Sequence, residues 1–127
     1  MKSYTDLEQS KKLAEILQPE SADMCWGICD ETLKWNTFPY LIPWRDYTAK
    51  EYYLPCWSLA ALLDQLEDIV VDENGYEYNL QIIKEGVQYY LVYEGMLDAA
   101  CYETSLYDDL IDCCYEMILK LKEKNLI

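Results

Sequence analysis

The fold is decided by the stretch YEYNLQIIKEGVQYYLVY, which spans residues 76–93. Aliphatic or aromatic residues fall at every second position on both sides of Glu85-Gly86, and this period of two is typical of β-strands whose side chains alternate between two faces. Glu85-Gly86 joins the two strands into an antiparallel hairpin. Just upstream, Asn74-Gly75 predicts another turn after a short apolar run at residues 69–71, because both residues tolerate positive φ.

The segments on either side of this hairpin predict the rest of the architecture. Apolar residues at helical spacing predict helices over residues 5–17, 57–66 and 105–125. Short strands are predicted near residues 22–28, 32–41 and 98–103. This order predicts an α+β fold, an antiparallel β-meander sheet with about three helices packed on one face. A chain of 127 residues supports one sizeable core, so we expect a single α+β domain over residues 1–127.

The cellular setting is predicted from what the sequence lacks. No apolar run reaches the ~18 residues that a membrane-spanning helix needs. The first residues, Met1-Lys2-Ser3-Tyr4-Thr5-Asp6, lead into charged residues without the apolar region of a secretory signal. We therefore expect a soluble cytoplasmic protein without membrane association, in which the six cysteines are reduced thiols.

Catalytic signals are sparse. The chain has no histidine, which removes the commonest general base and metal ligand. Its four glycines stand singly, so no glycine-rich phosphate loop is present. Two alternatives stay open: a small hydrolase using two of the many carboxylates, and a zinc-stabilised module in which Cys25 and Cys29 join Cys113 and Cys114. We name no catalytic residue and expect no cofactor and no bound metal.

The acidic residues are concentrated in one part of the chain. Residues 51–116 hold 15 acidic residues against one basic residue, Lys84, a net charge of −14, whereas the rest of the chain is balanced at nine of each sign. Such a region repels nucleic acid and anionic membranes and attracts basic protein surfaces. The same charge would also serve solubility alone.

Tyrosine is the second unusual feature of the composition, with 13 residues. Tyrosine gives a large contact area with few rotatable bonds and is enriched at protein interfaces. We therefore expect a non-enzymatic protein, of accessory or inhibitor type, that binds a basic protein surface and makes no direct contact with nucleic acid. The candidate partner-binding residues are Tyr76, Glu77, Tyr78, Tyr90, Glu94, Asp108 and Asp109.

Three blocks carry a resemblance to other proteins. They are LEQSKKLAEIL at residues 7–17, PCWSLAALL at residues 55–63 and DCCYEMILKL at residues 112–121. In these blocks the chain resembles short uncharacterised proteins encoded by gut bacteria and their phages or mobile elements. The resemblance implies a shared fold and an intracellular origin, and it transfers no activity or site residue.

Overall fold

A computed structural model describes residues 2–29, 34–35, 39–40, 53–95 and 101–127. The chain folds into two compact units, Ser3–Ala61 and Leu62–Ile127 with Met1–Lys2, and the boundary falls inside the second helix. The three helices are α1 Leu7–Ala14, α2 Leu59–Asp64 and α3 Leu110–Glu123. The strands are β1 Met24–Cys29, β2 Lys34–Trp35, β3 Tyr53–Cys56, β4 Ile69–Val71, β5 Glu77–Glu85, β6 Gln88–Gly95 and β7 Tyr102–Glu103.

The predicted fold class is confirmed: the chain is α+β, with antiparallel sheets and a four-stranded meander in the order β4-β5-β6-β7. The early strands form a sheet of their own, in the order β2-β1-β3. The expectation of one domain over residues 1–127 stays a prediction. No helix in the described ranges is long and apolar enough to cross a membrane.

The first unit is built from α1 and the three-stranded sheet. Asp6 caps α1 by accepting the Gln9 N–H, while the Gln9 side chain accepts the Asp6 N–H. The helix is shorter than the predicted residues 5–17, and it packs on β3. The strand predicted at residues 22–28 is β1. Of the strand predicted at residues 32–41, only residues 34–35 and 39–40 lie in the described part.

The second unit is built around the predicted hairpin. Strands β5 and β6 pair from Tyr78↔Gly95 to Glu85↔Gln88, and the two-residue loop between them places Gly86 at φ 65°. The predicted Asn74-Gly75 turn connects β4 to β5, with Gly75 at φ 83°. Both glycines therefore adopt a backbone conformation that other residues rarely reach.

The end of the second unit differs from the prediction in one respect. The helix predicted from residue 105 starts at Leu110, because the chain before it continues along β6. There the N–H of Thr104 donates to the Leu91 carbonyl, and Tyr107 forms a bridge with Tyr89. The strand predicted at residues 98–103 is seen as β7, and residues 96–100 lie outside the described part.

One face of the meander is the core of the second unit. Leu91 and Tyr93 of β6 are fully buried, and α3 packs against β6 and β7. The buried stripe of α3 comprises Ile111, Cys113, Cys114, Met117, Ile118 and Leu121. Apolar residues at this helical spacing bury one side of the helix and leave its lysines exposed or half-buried. The opposite face of the meander is where the candidate site lies.

Candidate functional site

The strand register defines which side chains share the face of the meander opposite α3. Residues directly opposite each other on paired strands point to the same side, and successive residues of a strand alternate between sides. Gln81 pairs with Val92 and Ile83 pairs with Tyr90. We call this surface the open face, and it comprises Ile69, Val71, Glu77, Asn79, Gln81, Ile83, Glu85, Gln88, Tyr90, Val92, Glu94 and Glu103.

The open face is acidic. Its four charged residues are all glutamates, Glu77, Glu85, Glu94 and Glu103, and all four are exposed. Lys84, the one cation of β5, has the opposite parity and so belongs to the α3 side of the sheet. Glu94 Oε2 accepts a hydrogen bond of 3.0 Å from Gln81 Nε2. The open face therefore presents negative charge without a compensating cation of its own.

The open face also exposes apolar surface. Ile69 is 44% exposed and Val71 53% exposed, at the edge formed by β4. Nearer the centre, Ile83 and Tyr90 are half-buried and Val92 is buried. A shallow depression of about 220 Å³ lies here, lined by Gln81, Ile83, Tyr90, Val92, Glu94, Cys101 and Glu103. Ile83, Tyr90 and Val92 contribute its apolar and aromatic surface, and Glu94 and Glu103 contribute its carboxylates.

The structure brings some of the predicted partner-binding residues together on this face. Glu77, Tyr90 and Glu94 belong to the open face by register. Asp108 is exposed and accepts a 3.3 Å hydrogen bond from Gln88 Nε2, which places it at the margin of the open face. Tyr76 is 50% exposed and immediately precedes β5.

Two predicted residues lie elsewhere. Tyr78 has the parity of the core face and is only 4% exposed, with its ring centroid 5.1 Å from that of Tyr102. Asp109 occupies the N-cap position of α3 and accepts the backbone N–H of Lys2 at 2.7 Å. Asp112, one helical turn on, accepts the Lys2 ammonium at 2.9 Å. These side chains serve packing and local pairing.

Sequence reasoning missed five residues that line the depression: Gln81, Ile83, Val92, Cys101 and Glu103. The pairing of the two hairpin strands could have identified three of these residues, Gln81, Ile83 and Val92. With Gly86-Val87 as the two-residue loop, one residue later than the predicted Glu85-Gly86, the closing pair is Glu85 and Gln88, and counting back along both strands pairs Gln81 with Val92 and Ile83 with Tyr90. Cys101 and Glu103 gave no such signal, because β7 spans only Tyr102–Glu103 and two residues are too few for alternation to assign their faces.

A second, more polar cavity of about 550 Å³ lies by the β4–β5 turn, with Asp72, Glu73 and Glu123 among its lining residues. Asp72 Oδ1 accepts the N–H groups of Asn74 and Tyr76, and its Oδ2 accepts the Tyr78 hydroxyl at 3.0 Å. Desolvation opposes ionisation, but these hydrogen bonds prevail and lower the pKa of Asp72. The same contact raises the pKa of Tyr78 to about 12. Asp72 is therefore a turn-forming carboxylate, and its lowered pKa is opposite to what a general acid requires.

The thiols have the properties of core residues. Burial raises the pKa of Cys56 and Cys113 to about 11 and that of Cys114 to about 12, so all three are protonated at neutral pH. Cys113 Sγ donates to the Tyr89 carbonyl at 3.2 Å. Among the residues that the structure describes, no group of three histidine, cysteine or acidic side chains could hold a metal ion. The side chain of Cys29 lies outside that part.

No family model, curated protein or solved structure matches the chain. The candidate site therefore rests on the geometry of the chain itself: an α+β protein whose meander has one face covered by α3 and an opposite face that is acidic and partly apolar.

Proposed function

We propose that this protein is a non-enzymatic binding protein, of accessory or inhibitor type, whose open face docks onto a basic protein surface. One observation carries the proposal: four exposed glutamates lie on the same sheet face as a depression to which Ile83, Tyr90 and Val92 contribute apolar and aromatic surface. Neither component alone would be informative, since acidic side chains also serve solubility and single exposed apolar residues are common.

The two components have separate physical roles. Burial of the depression and of the exposed β4 side chains would supply affinity, because apolar and aromatic contact surface dominates interface energetics. Tyr90 would act as the central anchor, because its half-buried ring has little freedom to lose on binding. The glutamates would accelerate the encounter with a basic partner and reject nucleic acid and anionic membranes.

The alternatives have less support. Asp72, the best-positioned carboxylate of the larger cavity, is committed to its turn. No observation in the described ranges favours a hydrolase or a zinc-stabilised module.

The test is affinity capture with the wild-type protein and two charge-reversed variants. The face variant carries Glu94→Lys and Glu103→Lys; the matched control carries Glu15→Lys and Glu20→Lys, two exposed positions of the first unit. Both variants change the net charge equally. Proteins captured by the wild type and by the control, lost with the face variant and released at ~0.5 M salt, where exposed charges are screened, are the expected result.

Two results would count against the proposal. Equal loss of captured proteins with both variants would show that overall acidity, and not the open face, is responsible. Equal retention with both variants would show that the open face is not the binding surface. Tyr90→Ala gives an independent check, with an expected loss of about tenfold in affinity for any captured partner, the size typical of an interface anchor.

A further inference from the structure

One long edge of the meander has no strand beside it in the described part of the chain. Strand β5 has nine residues, but β4 pairs only with its first three, from Val71↔Glu77 to Ile69↔Asn79. Among the described residues, the last backbone hydrogen bond on that side runs from the Leu80 N–H to the Asp68 carbonyl, at 2.9 Å. Beyond it, no described strand borders residues 81–85. This stretch of five residues has the usual length of a strand-pairing segment.

The direction of the backbone groups follows from the same contacts. Because Leu80 directs its N–H away from β6, the backbone groups of Ile82 and Lys84 point the same way, two and four residues further along. The intervening odd-numbered residues pair with β6, as the closing pair Glu85↔Gln88 requires. Ile82 and Lys84 thus offer N–H donors and carbonyl acceptors to a further strand, and we call residues 81–85 the free edge.

The side chains around the free edge indicate which residue types an added strand would need. Exposed carboxylates lie at both ends, Glu67 and Asp68 where β4 starts and Glu85 at the hairpin. On the α3 side of the sheet, Ile82 is 48% exposed. A second copy of this chain fits poorly, because two molecules of net charge −14 repel each other. A lysine on an edge strand, here Lys84, is also a known device against uncontrolled self-pairing.

We propose that the free edge binds an extended segment of a partner protein, which joins the meander as an additional strand. The segment alternates basic and apolar residues. Its basic side chains lie on the open-face side, near Glu85, and its apolar side chains lie beside Ile82. This inference rests on the proposed function and specifies how the partner engages: main-chain hydrogen bonds supply affinity and the alternating side chains supply specificity.

A defined peptide tests this directly. The probe is an acetylated and amidated peptide of four Lys-Val repeats, and its control has the same composition with the lysines grouped together. Calorimetric titration is expected to show at least tenfold weaker binding of the grouped peptide. The key variant is Ile82→Pro, which removes one outward N–H and leaves the β5–β6 ladder intact, because that N–H is not part of it. Its matched control, Ile82→Thr, keeps the N–H.

We expect Ile82→Pro to weaken binding of the repeat peptide at least tenfold and Ile82→Thr to weaken it less than threefold. Amide exchange at Ile82 and Lys84 should slow when the peptide binds to the wild-type protein, and this measurement holds even if Ile82→Pro impairs folding. Unchanged exchange at both amides would overturn the inference. So would a dimer of the wild-type protein that Ile82→Pro dissociates, since a second copy would then occupy the edge.

The face variant Glu94→Lys with Glu103→Lys separates the two proposals. Loss of peptide binding in the face variant together with full binding by Ile82→Pro would overturn strand addition and leave the proposed function standing. Full binding by both variants would overturn both proposals.

Discussion

The substitution Thr5→Val tests how the first unit is held together. Thr5 is fully buried, and its Oγ1 accepts the backbone N–H of Trp57 at 3.1 Å and lies 2.8 Å from Ser10 Oγ. Ser10 Oγ in turn accepts the indole N–H of Trp26 at 3.2 Å. Valine reproduces the shape of threonine but offers no acceptor, so the Trp57 N–H is left buried without its side-chain partner.

The expected cost follows from these contacts. A buried donor that loses its partner costs about 1–3 kcal/mol, and the Ser10 hydroxyl also loses one of its two contacts, so we expect Thr5→Val to lower the free energy of unfolding by about 3 kcal/mol. This would be a large part of the ~5–15 kcal/mol typical of a whole domain. Thr5→Ser keeps the hydroxyl and removes one methyl group, for which we expect about 1 kcal/mol.

Urea unfolding followed by tryptophan fluorescence measures this difference, because all four tryptophans lie in Ser3–Ala61. A free energy of unfolding for Thr5→Val that equals or exceeds that of Thr5→Ser would refute this prediction. Such a result would show that the hydrogen bonds of the Thr5 hydroxyl add no stability beyond the packing of its side chain.

Two further predictions concern the turn carboxylate and a buried thiol. Asp72→Ala should lower the free energy of unfolding by about 2 kcal/mol, because two backbone N–H groups and the Tyr78 hydroxyl lose their acceptor. Asp72→Asn should lower it by less, since one acceptor oxygen remains. Equal losses of stability for the two variants in thermal unfolding would contradict this prediction. Burial raises the pKa of Cys56 to about 11. Because the unfolded thiol ionises first, its contribution is fully present below about pH 8 and is lost as the pH rises to 11, by up to ~3 kcal/mol. Urea unfolding at each pH should show a shallower decline for Cys56→Ala than for the wild type, and parallel declines would refute the assignment.

Local patterns determined the second unit more fully than the first. The hairpin was predictable from residues 76–93 because a period of two and a tight turn specify strand pairing without help from distant residues. The start of α3 was not, because Ser105 and Leu106 are compatible with a helix, and the chain is held beside β6 instead by the Thr104 N–H bond to the Leu91 carbonyl and the bridge between Tyr107 and Tyr89. The independent sheet β2-β1-β3 depends on pairing between β1 and β3, which are far apart in sequence.

In the candidate site, too, local sequence patterns could not assign every residue to a face of the sheet, as one pair of tyrosines shows. Tyr78 and Tyr90 lie on one hairpin and are identical in type, yet Tyr78 is buried and Tyr90 is half-exposed on the open face. Aromatic and aliphatic residues occur at both parities of β6, so alternation alone could not assign its core side. The packing of α3 on β6 decides it, and that contact joins segments about 25 residues apart.

The carboxylates of residues 51–116 fall into two groups, and those of the first group make hydrogen bonds or ion pairs within the protein. Asp72 forms a turn, Asp109 and Asp112 bind Lys2, and Glu116 accepts from the Ser105 N–H at 2.8 Å and from the Tyr107 hydroxyl at 3.2 Å. These carboxylates stabilise the free protein and are already satisfied.

The glutamates of the open face differ in kind. Among the described residues, the carboxylates of Glu77, Glu85 and Glu103 have no hydrogen-bond or ion-pair partner. Like charges on one sheet face repel each other. Such side chains make no side-chain pair in the described part of the protein, and the proposed basic partner would supply their counter-charge. The net charge of residues 51–116 therefore overstates the charge that is available to a partner, and the exposed glutamates of the open face are the part of it that the proposed binding would use.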